Sequence, residues 1–82
     1  MIFAVARKVF VSVVAQFDEE GNVQPMNITW EDGRKYEIDK VLDVRRAVAM
    51  KVGGTAIRFT VRIGSKTTYL FHDDGKWFVE SR

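Results

Sequence analysis

Short clusters of turn-forming residues recur along the chain, and this feature constrains the fold more than any other. The clusters lie at 18–22, 32–33, 53–54, 64–65 and 74–75, and each contains a glycine. The segments between them are rich in Val, Ile, Thr, Phe, Tyr and Trp, which favour β-strands. Such spacing is typical of consecutive β-hairpins and predicts an all-β fold.

The pattern predicts an antiparallel up-and-down meander of six strands, near residues 7–17, 23–31, 35–52, 55–63, 66–72 and 76–81. The third segment is too long for one flat strand. Its apolar alternation breaks between Asp39 and Asp43, which predicts a bend or bulge there. The alternative for this segment is a helix over 39–51, because three valines within it recur at helical spacing.

The hairpin around 53–54 allows a register to be predicted. A two-residue turn there pairs Val48 with Phe59 and Arg45 with Arg62. One face of the ribbon is then a continuous apolar layer, and the opposite face is small and basic. A slip of one residue would scramble both faces, so the clean division supports this pairing.

Two further hairpins have predicted registers. A three-residue loop at 32–34 pairs Trp30 with Tyr36, which places aromatic residues together. The turn at 74–75 predicts the pairs His72–Trp77, Phe71–Phe78 and Leu70–Val79. The ribbon made by these last two strands is apolar on both faces, so both faces need cover.

A six-stranded sheet covers both faces most simply by curling into a small barrel, which also hides its edges. We therefore expect an SH3-like or similar small barrel. The alternative is a half-open barrel completed by a second copy of the chain. Eighty-two residues suffice for one hydrophobic core, so 1–82 is expected to form a single domain.

Composition and the order of the first residues restrict the protein's class. The chain has no cysteine, which excludes a disulfide scaffold, a thiol nucleophile and a cysteine-based metal site. Arg7 and Lys8 follow the apolar start, whereas a secretory signal begins with basic residues. The longest apolar run, near 9–15, is too short to span a bilayer. We expect a cytoplasmic protein with no membrane partner.

The candidate catalytic groups are few. His72 has the only side chain whose ordinary pKa lies near neutrality, and Asp73 and Asp74 follow it. Adjacent strand residues point to opposite faces, so His72 and Asp73 are not placed to chelate one ion. Packing of His72 beside Trp77 is the simpler interpretation. The glycines match no phosphate-binding or dinucleotide-binding motif. We therefore predict no catalytic residue, no metal, no cofactor and no enzymatic activity.

Positive charge is concentrated in residues 40–66, which carry seven basic residues and one acid, although the whole chain has a net charge of +2. The predicted register brings much of it to one strand face, through Arg45, Lys51, Arg58 and Arg62. Like charges opposed across strands destabilise a sheet, so this face needs a compensating partner. The partner is either an acid of the same chain, such as Glu37 or Asp39, or an anionic ligand.

A nucleic-acid backbone is the commonest extended anion, so these four basic residues are candidate nucleic-acid contacts. Tyr69 or Trp77 could add a surface on which bases stack. Ordinary solvation of the charges is the alternative. The resulting function is a small binding or interaction module that contacts nucleic acid through a basic strand face.

Self-association is the competing hypothesis for function. If the odd-numbered residues of the first strand face the core, Phe10 and Val14 face outward as an exposed apolar patch. The chain would then be a structural or protein-interaction module. It would form a homo-oligomer through its first strand or a sheet edge, without nucleic acid.

A pattern of aromatic and turn residues resembles that of a family of small uncharacterised bacterial all-β domains. It comprises Trp30, Gly33 and Tyr36, followed by Val41-Leu42-Asp43, and a closing strand that contains Trp77. Some domains that look like this are encoded with DNA-repair proteins, which favours the nucleic-acid hypothesis. The resemblance implies no catalytic residues.

Overall fold

The computed structural model describes residues 7–48 and 55–81, which form strands and the connections between them. The strands are β1 (Arg7–Phe17), β2 (Val23–Thr29), β3 (Lys35–Glu37), β4 (Lys40–Val48), β5 (Thr55–Ile63), β6 (Lys66–Asp73) and β7 (Lys76–Ser81). The predicted all-β class is confirmed. In these two ranges there is no helix, and hence none of the length and hydrophobicity needed to cross a membrane.

All seven strands belong to one antiparallel sheet in the order β3-β2-β1-β7-β6-β5-β4. The long β1 joins its two parts, because its first half pairs with β7 and its second half pairs with β2. The sheet curls into a half-barrel. This is the half-open form of the predicted barrel, built from seven strands in place of six.

The additional strand arises because the third predicted segment bends. At the bend, the backbone N–H of Ile38 donates to the carbonyl of Met26 (3.0 Å), and that of Asp39 donates to the carbonyl of Arg62 (2.8 Å). Two successive residues thus bond to opposite ends of the sheet, so one segment becomes β3 and β4. A bulge follows at Leu42. The helix alternative is wrong for the described part of 39–51, which is paired strand up to Val48.

Apolar side chains fill both faces of the sheet. The inner face, which lines the concave side of the half-barrel, carries the buried cluster Val9, Ile28, Phe59, Val61, Leu70 and Val79. The outer face carries a smaller buried cluster, Ala56, Phe71 and Phe78, in which the two phenylalanine rings stack with centroids 5.1 Å apart. Each large buried side chain contributes about 1.5–3 kcal/mol, so both clusters stabilise the ribbon that was predicted to be apolar on both sides.

The observed register of β4 against β5 differs from the predicted one by four residues. Arg45 lies opposite Arg58 rather than Arg62, and Val48 lies opposite Thr55. The predicted two-residue turn is therefore wrong, because residues 49–54 connect the two strands. Because the shift is even, the side chains of Asp43–Val48 and of β5 lie on their predicted faces, and Arg45, Arg58 and Arg62 still share one face. The structure of 49–54 lies outside the described residues.

Two interactions explain this register. The predicted pairing opposed Arg46 to Val61, which is fully buried, and a cation there would lose its hydration. In the observed pairing Arg46 is exposed opposite Ile57, towards the end of the ribbon at which residues 49–54 connect the two strands. The bond from Asp39 to Arg62 anchors the other end of the same ladder.

The hairpin between β2 and β3 has the predicted loop length but begins one residue earlier. The backbone N–H of Trp30 donates to the carbonyl of Arg34 (2.8 Å), and that of Gly33 donates to the carbonyl of Trp30 (2.9 Å). Consequently Tyr36 lies opposite Ile28 rather than Trp30. Gly33 has φ of +90°, and a three-residue loop places such a residue last, which sets the position of the turn.

The turn between β6 and β7 matches its prediction. His72 lies opposite Trp77 and Phe71 opposite Phe78. Asp74 and Gly75 both have positive φ, 50° and 76°, as a two-residue hairpin turn of this type requires.

Candidate nucleic-acid interface

One surface of the sheet collects most of the charge from the basic central segment. We call it the basic face, and it consists of the outward-pointing Lys40, Asp43, Arg45, Arg58, Thr60, Arg62, Thr67 and Tyr69. These residues belong to the neighbouring strands β4, β5 and β6. The face contains four cations and a single carboxylate, so it is positive in a chain that is nearly neutral overall.

The bulge at Leu42 creates this arrangement. In a regular strand the even-numbered Lys40 and the odd-numbered Asp43 and Arg45 would point to opposite faces. The extra residue restores them to one face, because Lys40 lies opposite Arg62 and Asp43 lies opposite Thr60. The bulge thereby adds a cation to the outer face and leaves Val41 on the inner face.

The basic face is organised in three cross-strand rows. The outer two rows begin with directly opposed cations, Lys40 with Arg62 and Arg45 with Arg58. The middle row contains Asp43, Thr60 and Tyr69. Each pair of like charges destabilises the isolated ribbon, since directly opposite side chains have Cβ atoms about 4.5–5.5 Å apart.

Asp43 compensates one of these pairs. The Nε of Arg45 donates to Oδ2 of Asp43 at 2.6 Å, along the same strand. This hydrogen bond, with the charges of Arg45 and Arg58, lowers the pKa of Asp43 below its ordinary value of 3.8. Asp43 raises the pKa of Arg45 in return. The row that contains Arg45 and Arg58 is therefore partly neutralised within the chain.

Arg58 has an unusual environment for a strand cation. Its guanidinium carbon lies 4.4 Å from the ring centroid of Tyr69, a cation–π contact. Its Nε atom is buried and has no hydrogen-bond acceptor. An unsatisfied buried donor costs about 1–3 kcal/mol, so stability alone does not account for an arginine here.

Lys40 and Arg62 differ from Arg45, since both are exposed and neither forms an ion pair within the described part of the chain. The two acids expected as structural partners lie elsewhere. Asp39 accepts a hydrogen bond from the backbone N–H of Gly64 (2.6 Å), and Glu37 lies opposite Asn27 on β3. This pair of cations is the least compensated part of the face.

The structure thus brings together three of the four predicted contacts, Arg45, Arg58 and Arg62, while Lys51 lies outside the described residues. Lys40 was missed, although the broken apolar alternation near Asp43 was a signal of the bulge that turns it outward.

Of the two proposed stacking residues, only Tyr69 lies on the basic face, where it is half exposed. Trp77 lies on the inner face against the ring of Phe59, with centroids 5.4 Å apart. The imidazole of His72 stacks on Trp77 at 4.2 Å, as the pairing predicted. Within 7–48 and 55–81, no three His, Asp or Glu side chains converge as a metal site.

Comparison of the chain with protein-family models, with curated proteins and with solved structures gives no match.

Proposed function

We propose that this protein is a small non-enzymatic binding module that contacts single-stranded nucleic acid through its basic face. The observation that carries the proposal is the opposed pair Lys40 and Arg62, two exposed cations without a described acidic partner, beside the half-exposed ring of Tyr69. A phosphate group placed between these cations relieves their repulsion and supplies the missing countercharge.

The aromatic component favours a single strand over a duplex. Bases of a single strand are free to stack on an aromatic side chain, and each such contact is worth about 1–3 kcal/mol. Tyr69 lies in the middle row between the two cationic rows. Phosphates on either row would therefore leave a base within reach of its ring.

The net charge of the basic face limits the number of phosphate groups that this face can neutralise. Asp43 offsets one of the four cations, which leaves an excess of three on the face. Each phosphate contact on a single strand contributes a slope of about −0.7 to the plot of log affinity against log salt. We therefore expect a slope of about −2, which corresponds to modest affinity that is sensitive to salt.

We propose a cytoplasmic location. The chain has no cysteine, so it contains no disulfide that would require an oxidising compartment. The resemblance of its aromatic and turn pattern to bacterial domains encoded with DNA-repair proteins agrees with a nucleic-acid partner.

Chemical-shift mapping tests the assignment of the surface. An unstructured oligonucleotide of about ten residues is titrated into ¹⁵N-labelled protein at low salt. We expect the largest amide shifts at Lys40, Arg62 and Tyr69, with small shifts on β2 and β3. Absence of shifts, or shifts concentrated on β2 and β3, would overturn the proposal.

A further inference from the structure

The strand β4 is an edge of the sheet. Its nine residues pair with β5 on one side, and no described strand pairs with the other side. Open sheet edges tend to pair with other chains unless charges, bulges or shortness protect them. The bulge at Leu42 protects the start of β4, whereas Asp43–Val48 follows a regular register.

Exposed apolar side chains accompany this open edge. Leu42 is 45% exposed and Val44 is 51% exposed. On the concave side, Val41 and Val44 line an open cleft of about 520 Å³, whose opposite side is formed by the end of β1, the following turn and the start of β2. Pairing of another strand with the edge of β4 would cover this exposed apolar surface.

The charged residues of β4 favour one register for pairing of this edge with the same edge of a second copy. In a two-fold symmetric antiparallel pair centred on Val44, Asp43 of each copy faces Arg45 of the other copy. Centring the pair on Arg45 or on Arg46 would instead oppose an arginine to its own symmetry mate, which is unfavourable. Charge complementarity therefore favours the pair centred on Val44.

We propose that two copies of this chain associate through antiparallel pairing of their β4 edges, centred on Val44. The two Val44 side chains meet at the symmetry axis, and two Asp43 and two Arg45 side chains alternate beside them on the outer face. The bulge at Leu42 shortens the regular part of this ladder. The proposal is independent of nucleic-acid binding.

One consequence concerns the basic face. Edge pairing places the outer faces of both sheets side by side, so the two basic faces form one continuous surface. Because Asp43 and Arg45 then satisfy each other across the interface, Lys40, Arg58 and Arg62 of both copies remain for an anionic ligand.

Sedimentation equilibrium without nucleic acid tests the proposal on the full chain. We expect the wild type to show a concentration-dependent monomer–dimer equilibrium and Val44→Lys to be monomeric, because two lysines would meet at the axis. Val14→Lys is the matched control, since Val14 is a similarly exposed valine (59%) on the outer face of β1. It should dimerise like the wild type. A monomeric wild type, or a dimer lost in Val14→Lys but kept in Val44→Lys, would overturn the proposal.

Complementary charge variants test the register. Asp43→Arg and Arg45→Asp should each be monomeric, since like charges would face each other across the axis. An equimolar mixture of the two variants should form a heterodimer, because every facing pair is then of opposite charge. If each substitution acted only by breaking the Asp43–Arg45 ion pair within its own chain, mixing the two variants would not restore association. A mixture that stays monomeric while the wild type dimerises contradicts the register centred on Val44.

Discussion

Arg45 lies directly opposite Arg58 across β4 and β5, and both cations lower the pKa of the same carboxylate, Asp43. One acid therefore serves two arginines. The neighbouring pair, Lys40 with Arg62, has no ion pair among the described residues. Charge compensation on the basic face is therefore uneven, since the row of Arg45 and Arg58 is partly neutralised and the row of Lys40 and Arg62 is not.

The first prediction concerns base stacking on Tyr69. Replacing it in Tyr69→Leu removes the aromatic face, and we expect affinity for a single-stranded oligonucleotide to fall by about 1–3 kcal/mol in a fluorescence anisotropy titration. Tyr36→Leu is the control, because Tyr36 has comparable exposure (39% against 50%) but lies on β3. Equal losses in both variants would argue against stacking on the basic face.

The second prediction separates function from stability at Arg58. Arg58→Met keeps an unbranched chain of similar length while removing the buried, unsatisfied Nε. The cation–π contact is worth about 0.5–1 kcal/mol, whereas the unsatisfied donor costs about 1–3 kcal/mol. We therefore expect the free energy of unfolding in urea to stay level or to rise, while oligonucleotide affinity falls. A large loss of stability would show that Arg58 serves the fold.

The third prediction concerns the pKa of Asp43. The hydrogen bond from Arg45 lowers this pKa, so ¹³C NMR titration of the carboxyl group should find it below 3.8, and higher in Arg45→Gln. A lowered pKa stabilises the fold above the unfolded-state pKa, and that stabilisation disappears as pH falls through the folded-state value. The stability difference between the wild type and Arg45→Gln should therefore shrink in acid.

Asp18 provides the control for this titration. Its pKa is also lowered, through a side-chain hydrogen bond from Asn22 in the turn between β1 and β2. Arg45→Gln should leave the pKa of Asp18 unchanged. An unchanged pKa at Asp43, or parallel changes at both carboxyl groups, would contradict the local origin of the shift.

The fourth prediction compares the two leucines of the chain. Leu70 is fully buried in the inner cluster, so Leu70→Ala should lower the free energy of unfolding by about 2–5 kcal/mol. Leu42 is exposed at the bulge, and Leu42→Ala should change the free energy of unfolding by less than about 1 kcal/mol. Urea denaturation measures both. Similar values for the two variants would be inconsistent with the described core.

Local signals were sufficient to predict much of the fold. The bounds of β1, β5 and β7 match the prediction, and turn residues mark the end of β1, both ends of β5 and the start of β7. The pairing of His72 with Trp77 followed from Asp74-Gly75, whose positive φ values define a two-residue turn. In the hairpin of β6 and β7, the residues of the turn alone determine which strand residues face each other.

The register of β4 was not predictable from the same signals. Side chains alternate with a period of two, so shifts of two or four residues leave the hydrophobic pattern unchanged. The hairpin at Trp30 was offset by two residues and the ribbon of β4 and β5 by four, both even. Registers that differ by an even number of residues are distinguished only by contacts between residues far apart in the sequence, such as the backbone hydrogen bond from Asp39 to Arg62.

The same limit explains why three of the site residues were found and Lys40 was not. Arg45, Arg58 and Arg62 keep their common face in any register with an even shift. Lys40 reaches that face only through the extra residue at Leu42, whose position depends on pairing with β5.

The salt dependence of oligonucleotide binding tests the central claim most directly. Log affinity is measured against log salt for the wild type, for Lys40→Gln/Arg62→Gln, and for Arg34→Gln/Lys35→Gln, which removes the same charge from the hairpin between β2 and β3. We predict that the first double variant makes the slope shallower by about 1.4, whereas the second retains the wild-type slope. Absence of binding at low salt, or equal slopes in the two double variants, would contradict a nucleic-acid site on the basic face.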